Sequence, residues 1–376
     1  MVPTLPPQVL ELIMSQLFFP RDLAPLCLVS RAFLDPARRS LYHTVHISLP
    51  GASEAPEQYR HLRSPTREDT VVRYPHLAEY VRSVSVYQGR EEEGPEGREY
   101  PDGPLELGRM LGACRNIRHL DLTEAANDFA PVLLAARPSL THLHLNFETS
   151  YQELFPLFSS LRHLTLTPTA NGLPRPHDLL SPTPLPSLCV ESHFDDTHSV
   201  LPTLRTLLAA FCPPESPVLR RLYIPAEALF LPDFDVSAFP HLSSLGVQIT
   251  DETDADALCK KLPEVLLKLP HLEGLALTGQ MWSSKPYNCL RARDLSLILP
   301  PRLKRLALGL GFSLPEALCI LSQAARRGLK VFVWESTRDF VHPEHHSELR
   351  GMEEVCKALG IVYSEMQLCP ALTQLV

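Results

Sequence analysis

The chain has 376 residues, which is long enough for two or more domains with a large buried core. Its net charge of -8 provides no basic field and argues against nucleic-acid binding. The nine cysteines are odd in number and include no CxxC pair, unlike the framework of a small secreted protein. No signal peptide is recognisable, and no apolar run is long enough to span a bilayer. The composition therefore predicts an intracellular protein, cytoplasmic or nuclear, with no membrane partner.

Residues 4–43 predict three short helices. Apolar residues recur at helical spacing through the first two of them, at Val9, Leu10, Ile13, Leu17, Leu23, Leu26 and Cys27. Asp22 is the predicted N-cap of the second helix, and Asp35 with Pro36 predicts the start of a third that runs through Leu41. Because three such helices bury little apolar area, the module needs a partner or a neighbouring domain to complete its core.

The rest of the chain repeats one phrase, with apolar residues at i, i+3 and i+5. It stands at NIRHLDL (116–122), SLTHLHL (139–145), SLRHLTL (160–166), HLSSLGV (241–247), HLEGLAL (271–277) and RLKRLAL (302–308), with weaker copies at 80–86, 184–190, 203–209, 218–224 and 328–334. In a strand, i+3 and i+5 lie on one face, which a single strand cannot bury. The phrase is typical of leucine-rich repeats, whose parallel strands stack into a solenoid with returning elements between them.

The repeat is irregular. The early copies are 21 to 23 residues apart, whereas the late copies are 30 to 31 apart and leave room for helices at 257–269 and 314–328, the latter ending at Gly328. Leu204 and Leu219 are only 15 residues apart, so at least one of them is not part of a regular repeat strand. Residues 88–104 contain six acidic and two basic residues and predict a solvated loop, and the proline-rich segment 168–186 predicts a long connection.

Histidines occupy the same slot of three successive repeats, at His119, His142 and His163, with His144 nearby. A metal or pH-sensing site is one interpretation, but stacked strands spread such ligands apart, which favours polar residues facing solvent. The clusters HFDDTH (193–198) and HPEHH (342–346) lack the HExxH spacing and are interpreted as loop histidines. No nucleotide-binding or nucleophile motif is present, so we expect no metal, no cofactor and no catalysis.

The N-terminal segment LPPQVLELIMSQLFFPRDLAPLCLVSRAFLDPARRSLY resembles an F-box, and its continuation is similar to those of fungal F-box proteins. The matching positions are Leu5, Pro6, Leu10, Ile13, Leu17, Asp22, Leu23, Leu26, Val29, Ser30, Arg31 and Phe33. Two positions depart from the pattern: Gln8 stands where glutamate is usual, and Phe33 where tryptophan is common. Together, the repeat phrase and this resemblance predict an α/β protein with a three-helix F-box module at 1–45 and a degenerate leucine-rich repeat solenoid at 46–376.

An F-box implies the substrate-recognition subunit of an SCF-type cullin-RING ubiquitin ligase. The adaptor-contact residues that it implies are Leu5, Pro6, Leu10, Ile13, Leu17, Leu23, Leu26, Val29 and Phe33. Polar residues between the strand leucines are the candidates for target contact: Arg118, His119, Asp121, His142, His144, Arg162, His163 and Thr165. A leucine-rich scaffold that acts outside ubiquitination is the alternative. The sequence names neither the target protein nor any modification needed to recognise it.

Overall fold

The computed structural model describes residues 6–14, 20–49, 71, 74–88, 111–124, 139–147, 160–168, 185–191, 208, 218–232, 234–249, 253–279, 295, 297–309, 314–335 and 343–366. The chain divides into two compact units, residues 1–162 and 163–376. The predicted boundary at residue 45 stays a prediction. Most of the acidic loop and of the proline-rich connection lie outside the described residues.

Three helices open the first unit: α1 (Pro7–Met14), α2 (Pro20–Val29) and α3 (Arg31–His43). The second helix begins at Pro20, two residues before the predicted cap Asp22, since proline suits the first position of a helix. The third helix was predicted to begin at Pro36, which is wrong. It begins at Arg31, after an extended Ser30, and contains Pro36 in its interior. Pro36 and Ala37 are buried there, and this packing outweighs the lost backbone hydrogen bond.

The first unit continues with a short helix α4 (Pro75–Ala78) and four described strands. These are β1 (Thr44–Leu49), β2 (Ser83–Gln88), β3 (His119–Glu124) and β4 (His142–Phe147). They pair in parallel in chain order, with Val45 opposite Val84 and Leu120 opposite Leu143. Helix α3 leads into β1 without a loop, and it packs against both α4 and β1.

The second unit contains eight described strands, also parallel and paired in chain order. They are β5 (His163–Pro168), β6 (Ser187–Val190), β7 (Arg221–Pro225), β8 (Ser244–Ile249), β9 (Gly274–Gly279), β10 (Arg305–Leu308), β11 (Val331–Glu335) and β12 (Val362–Met366). Two 3-10 helices, Ala226–Phe230 and Val236–Ala238, connect β7 to β8. The predicted α/β architecture is confirmed: N-terminal helices precede a solenoid-like succession of parallel strands.

Between the described strands, helices of 13 residues or more occur only late in the chain, as the spacing predicts. Helix α5 (Ala255–Leu267) connects β8 to β9, and the Asp254 carboxylate caps it by accepting a hydrogen bond from the backbone of Ala257. Helix α6 (Leu314–Arg326) is followed by Gly328, whose φ of 95° ends the helix as predicted. Helix α7 (Pro343–Ala358) begins within the HPEHH cluster, so its interpretation as a loop is wrong. The HFDDTH cluster lies outside the described residues.

The repeat phrase accounts for the core. Its first apolar residue precedes the strand and is buried, as at Ile117, Leu140 and Leu272. The second position of each strand is apolar and buried from β1 to β11: Val45, Val84, Leu120, Leu143, Leu164, Leu188, Leu222, Leu245, Leu275, Leu306 and Phe332. Two strands went unpredicted, β1 and β12. In β1, the positions i, i+3 and i+5 of the repeat phrase hold Tyr42, Val45 and Ile47. In β12, the same positions hold Gly360, Tyr363 and Glu365, so the apolar pattern is lost.

Candidate functional site

Helix α1 has two apolar faces, one buried and one exposed. Leu10 and Met14, four residues apart, are buried at 4% and 0% exposure. Val9, Leu12 and Ile13 lie on the other face, and Leu12 is 65% exposed. A helix this short does not need a second apolar face for its own packing. The exposed face therefore marks a surface for another molecule.

Helix α2 repeats this arrangement. Leu23 is buried with Met14 and Ala37, and Leu26 and Cys27 pack against that cluster. Leu28 and Val29 point away from it and are 88% and 63% exposed. Helix α3 packs against both α1 and α2 and so holds the two helices in place. We call Val9, Leu12, Ile13, Leu28 and Val29 together the exposed apolar face of the helical module.

The exposed apolar face differs from the predicted adaptor-contact set. Leu10 and Leu23 belong to that set, but both are buried in the core of the module, so they support its surface from within. Leu26 and Phe33 are partly buried against the same core, whereas Pro6, Ile13 and Val29 are exposed. Leu5 and Leu17 lie outside the described residues.

The predicted adaptor-contact set omits Val9, Leu12 and Leu28, which belong to the exposed apolar face. The signal was the surplus of apolar residues in α1, where Val9, Leu10, Leu12, Ile13 and Met14 cover more than one face. A helix that packs on one side of a core needs only one apolar stripe. Spacing alone does not say which of two stripes faces inward.

The predicted target-contact residues of the first unit lie around the starts of β3 and β4. His119 and His142 are opposite each other in the register, and their rings stack with centroids 4.0 Å apart and planes 13° apart. Two positions further along, the His144 Nδ1 lies 3.4 Å from an Asp121 carboxylate oxygen. Arg118 precedes the pair and is exposed. The repeats thus bring these five residues onto one polar surface.

The other predicted target contacts are placed less uniformly. Arg162, at the end of the first unit, is exposed. In the second unit, His163 begins β5 and is partly buried, and Thr165 is only 6% exposed. Thr165 therefore offers almost no surface to a target, which corrects its interpretation as a polar contact residue. Among the residues that the structure describes, no group of three or more His, Cys, Asp or Glu side chains is arranged to hold a metal ion.

Burial, with the nearby His43 and Arg118, lowers the pKa of His119. The folded chain then binds fewer protons at this position than the unfolded chain, so stability falls as the pH drops through the ordinary histidine pKa of about 6.5. We expect the thermal unfolding midpoint to fall between about pH 7.5 and about pH 5.5, and His119→Gln to reduce that fall. An unchanged pH dependence in His119→Gln would contradict this expectation.

Comparison with protein families identifies the helical module. Residues 2–48 match the family model described as F-box-like, and this range covers α1 to α3 and most of β1. The N-terminal segment is F-box-like. The match covers the part of the chain that carries the exposed apolar face, and it does not reach the repeat strands beyond β1.

The repeat region has weaker comparisons. A crystal structure of a Bacteroides fragilis protein aligns over 78% of this chain and 74% of its own, with 13% sequence identity and a TM-score of 0.38. Likeness at that level supports no conclusion about the repeats. A search of curated proteins found no match. No described helix is both long enough and apolar enough to cross a lipid bilayer.

Proposed function

We propose that this protein is the substrate-recognition subunit of an SCF-type cullin-RING ubiquitin ligase. Its F-box-like helices bind a Skp-type adaptor and, through it, a cullin. The solenoid, which we assign to degenerate leucine-rich repeats of the fungal F-box type, binds a target protein. In this proposal the chain is not an enzyme and needs no cofactor, because the ubiquitin transfer is performed elsewhere in the complex.

The exposed apolar face of the F-box-like segment carries this proposal. Leu12, Leu28 and Val29 are more than 60% exposed, which is costly for apolar side chains unless another molecule covers them. Burying one such side chain stabilises a complex by about 1.5–3 kcal/mol. Because the segment is F-box-like, the partner that we propose for these side chains is an adaptor protein with a hydrophobic groove.

The connection between module and repeats supports a role in positioning. Helix α3 ends at His43, β1 begins at Thr44, and both pack within the first compact unit. An adaptor bound to α1 and α2 is therefore held in a defined relation to the first repeat strands. Holding a target near an activated ubiquitin raises its effective concentration, which is a contribution to rate that needs no catalytic side chain.

Target contact is proposed for the polar surface at the starts of β3 and β4. Arg118, His119, Asp121, His142 and His144 are exposed or partly exposed there. The surface combines stacked rings, an arginine and a carboxylate, which together offer both hydrogen bonds and flat contact area. Arg162, which is exposed, and His163, which is partly buried, remain candidates.

Co-purification with a Skp-type adaptor tests the proposal. The tagged wild-type chain should retain the adaptor and a cullin, and Leu5→Ala combined with Ile13→Ala should weaken that retention. If the wild type retains no adaptor, the chain is instead a repeat scaffold that acts outside ubiquitination. If it does retain the adaptor, affinity purification of a chain without residues 1–45 should then trap the target without its turnover.

A further inference from the structure

Two arginines flank a serine and a glycine in one row of the second unit. Arg221, Ser244, Gly274 and Arg305 are the first residues of β7, β8, β9 and β10, and the register places each directly opposite the next. Adjacent strands lie about 4.8 Å apart, so the four positions form a continuous row across the sheet. We call these four residues the arginine site.

The side chain of Arg305 crosses a whole strand in this row. Its Nη2 donates a hydrogen bond of 2.9 Å to the Oγ of Ser244, two strands away. Gly274 makes this possible, because a Cβ at that position would lie 2.7 Å from the serine Oγ and 3.5 Å from the arginine Nη2. The guanidinium therefore passes over Gly274 on β9 and reaches Ser244 on β8, the strand next to the one that carries Arg221.

The charge of Arg305 is poorly compensated by the described residues around it. Its hydrogen bond goes to the neutral hydroxyl of Ser244, which is fully buried. Glu273 is nearby, but its carboxylate lies 2.6 Å from the Lys304 ammonium. Burial and the like charge of Arg221 lower the pKa of Arg305, and Glu273 opposes this only in part. A half-buried charge without a strong counter-charge is costly to the folded protein.

The two arginines of this row are accessible to solvent, whereas the neighbouring row, at the third strand positions, is buried. Arg221, Arg305 and the following residue of the row, Val331, are partly exposed. The third strand positions beside them are buried in a cluster formed by Cys189, Tyr223, Ala276, Ala307 and Val333. A partner that approaches this face of the second unit therefore meets the two guanidinium groups rather than the apolar cluster.

We propose that the arginine site binds an anionic side chain of the target protein, either a carboxylate or a phosphate, between Arg221 and Arg305. This inference rests on the proposed function, in which the repeats hold a target. Guanidinium groups bind both kinds of anion with paired, charge-assisted hydrogen bonds. The apolar Val331, which follows Arg305 in the row, gives the flanking residue of a bound segment a surface to cover.

The probe is inorganic phosphate, applied to the full-length chain in a thermal unfolding assay against sodium chloride of equal ionic strength. Ligand binding to the folded state raises the unfolding midpoint, here by about 1–3 °C at concentrations well above the dissociation constant. We expect this rise in the wild type and its loss in Arg305→Gln and in Arg221→Gln. Phosphate also stabilises proteins generally, so the difference between variants is the measured quantity.

Arg302→Gln is the matched control, because Arg302 lies exposed just before β10 and carries the same charge. It should keep the full phosphate response. The proposal is overturned if the wild type responds no more than Arg305→Gln, or if Arg302→Gln loses the response equally. Should Arg305→Gln fail to fold, Arg221→Gln decides the matter, since it leaves the Arg305–Ser244 hydrogen bond in place.

A parallel titration with acetate separates the two sources of negative charge. A response to both anions indicates that the site accepts a carboxylate as well as a phosphate, whereas a response to phosphate alone indicates a site for a phosphorylated residue. The assay uses the chain without its adaptor. Failure of adaptor retention would therefore refute the proposed function while leaving the phosphate result unaffected, and the reverse outcome would refute the arginine site alone.

Discussion

Replacing Leu12 and Leu28 with aspartate should abolish retention of a Skp-type adaptor while leaving the protein folded. Both side chains are exposed, at 65% and 88%, so their replacement removes almost no internal packing. An aspartate pressed into an apolar groove must lose its hydration without gaining a partner. Each substitution should weaken adaptor binding by about 2 kcal/mol or more, which is roughly thirtyfold in Kd. Isothermal titration with purified adaptor measures the loss, and circular dichroism verifies the fold.

The matched controls are Leu10→Ala and Leu23→Ala, which alter the buried face of the same two helices. Each leaves a cavity in the core and should lower the free energy of unfolding of the helical module by about 2–5 kcal/mol. They should weaken adaptor binding only in proportion to the fraction of the module that they unfold. If Leu12→Asp with Leu28→Asp binds the adaptor normally, while Leu10→Ala reduces binding in a folded module, then the exposed apolar face is not the adaptor surface.

The helical module illustrates what spacing can and cannot predict. The interval between Leu10, Ile13 and Leu17 predicts a helix, and α1 forms over most of it. The interval does not separate Leu10, which is buried, from Ile13, which is exposed. That difference depends on where α3 lies, and the start of α3 was itself wrongly placed at Pro36. Proline marks a helix start only when tertiary packing does not stabilise it in the interior.

The repeats were predictable because one apolar interval recurs along the chain. The phrase fixes the burial of Leu120, Leu143 and their counterparts, since each repeats the same contact with its neighbour. What it leaves open is the opposite face of the strands. There Cys189, Tyr223 and Ala276 form an apolar cluster in the second unit, whereas the first unit has Asp121 and His144. Which residues meet on that face depends on the register between strands, and the arginine site was missed for the same reason.

Gly246→Ala should destabilise the second unit by about 1–3 kcal/mol, although it adds a single methyl group. The ring of Tyr223 lies against Gly246, and a Cβ there would be 2.1 Å from the ring Cδ2. The ring is 6% exposed, and its hydroxyl is hydrogen-bonded to Thr278 Oγ1 on β9 at 2.5 Å. It has no room to move without losing both packing and that hydrogen bond. Urea unfolding of the full chain measures the change.

A double-mutant cycle identifies the cause of that loss. Tyr223→Ala alone should cost about 3–5 kcal/mol, since it removes a buried aromatic ring. In that background Gly246→Ala should cost little, because the atoms that it would overlap are gone, which gives a coupling of about 1–3 kcal/mol. Gly351→Ala in α7 is the control: no atom lies within 4 Å of its added Cβ, and alanine favours the helix by about 0.5–1 kcal/mol. If Gly246→Ala is equally costly with and without the tyrosine ring, the overlap with Tyr223 is not the cause of the loss. If the coupling is found, the absence of a side chain at Gly246 on β8 is what allows Tyr223 to reach Thr278. Gly274 on β9 allows Arg305 to reach Ser244 in the same way.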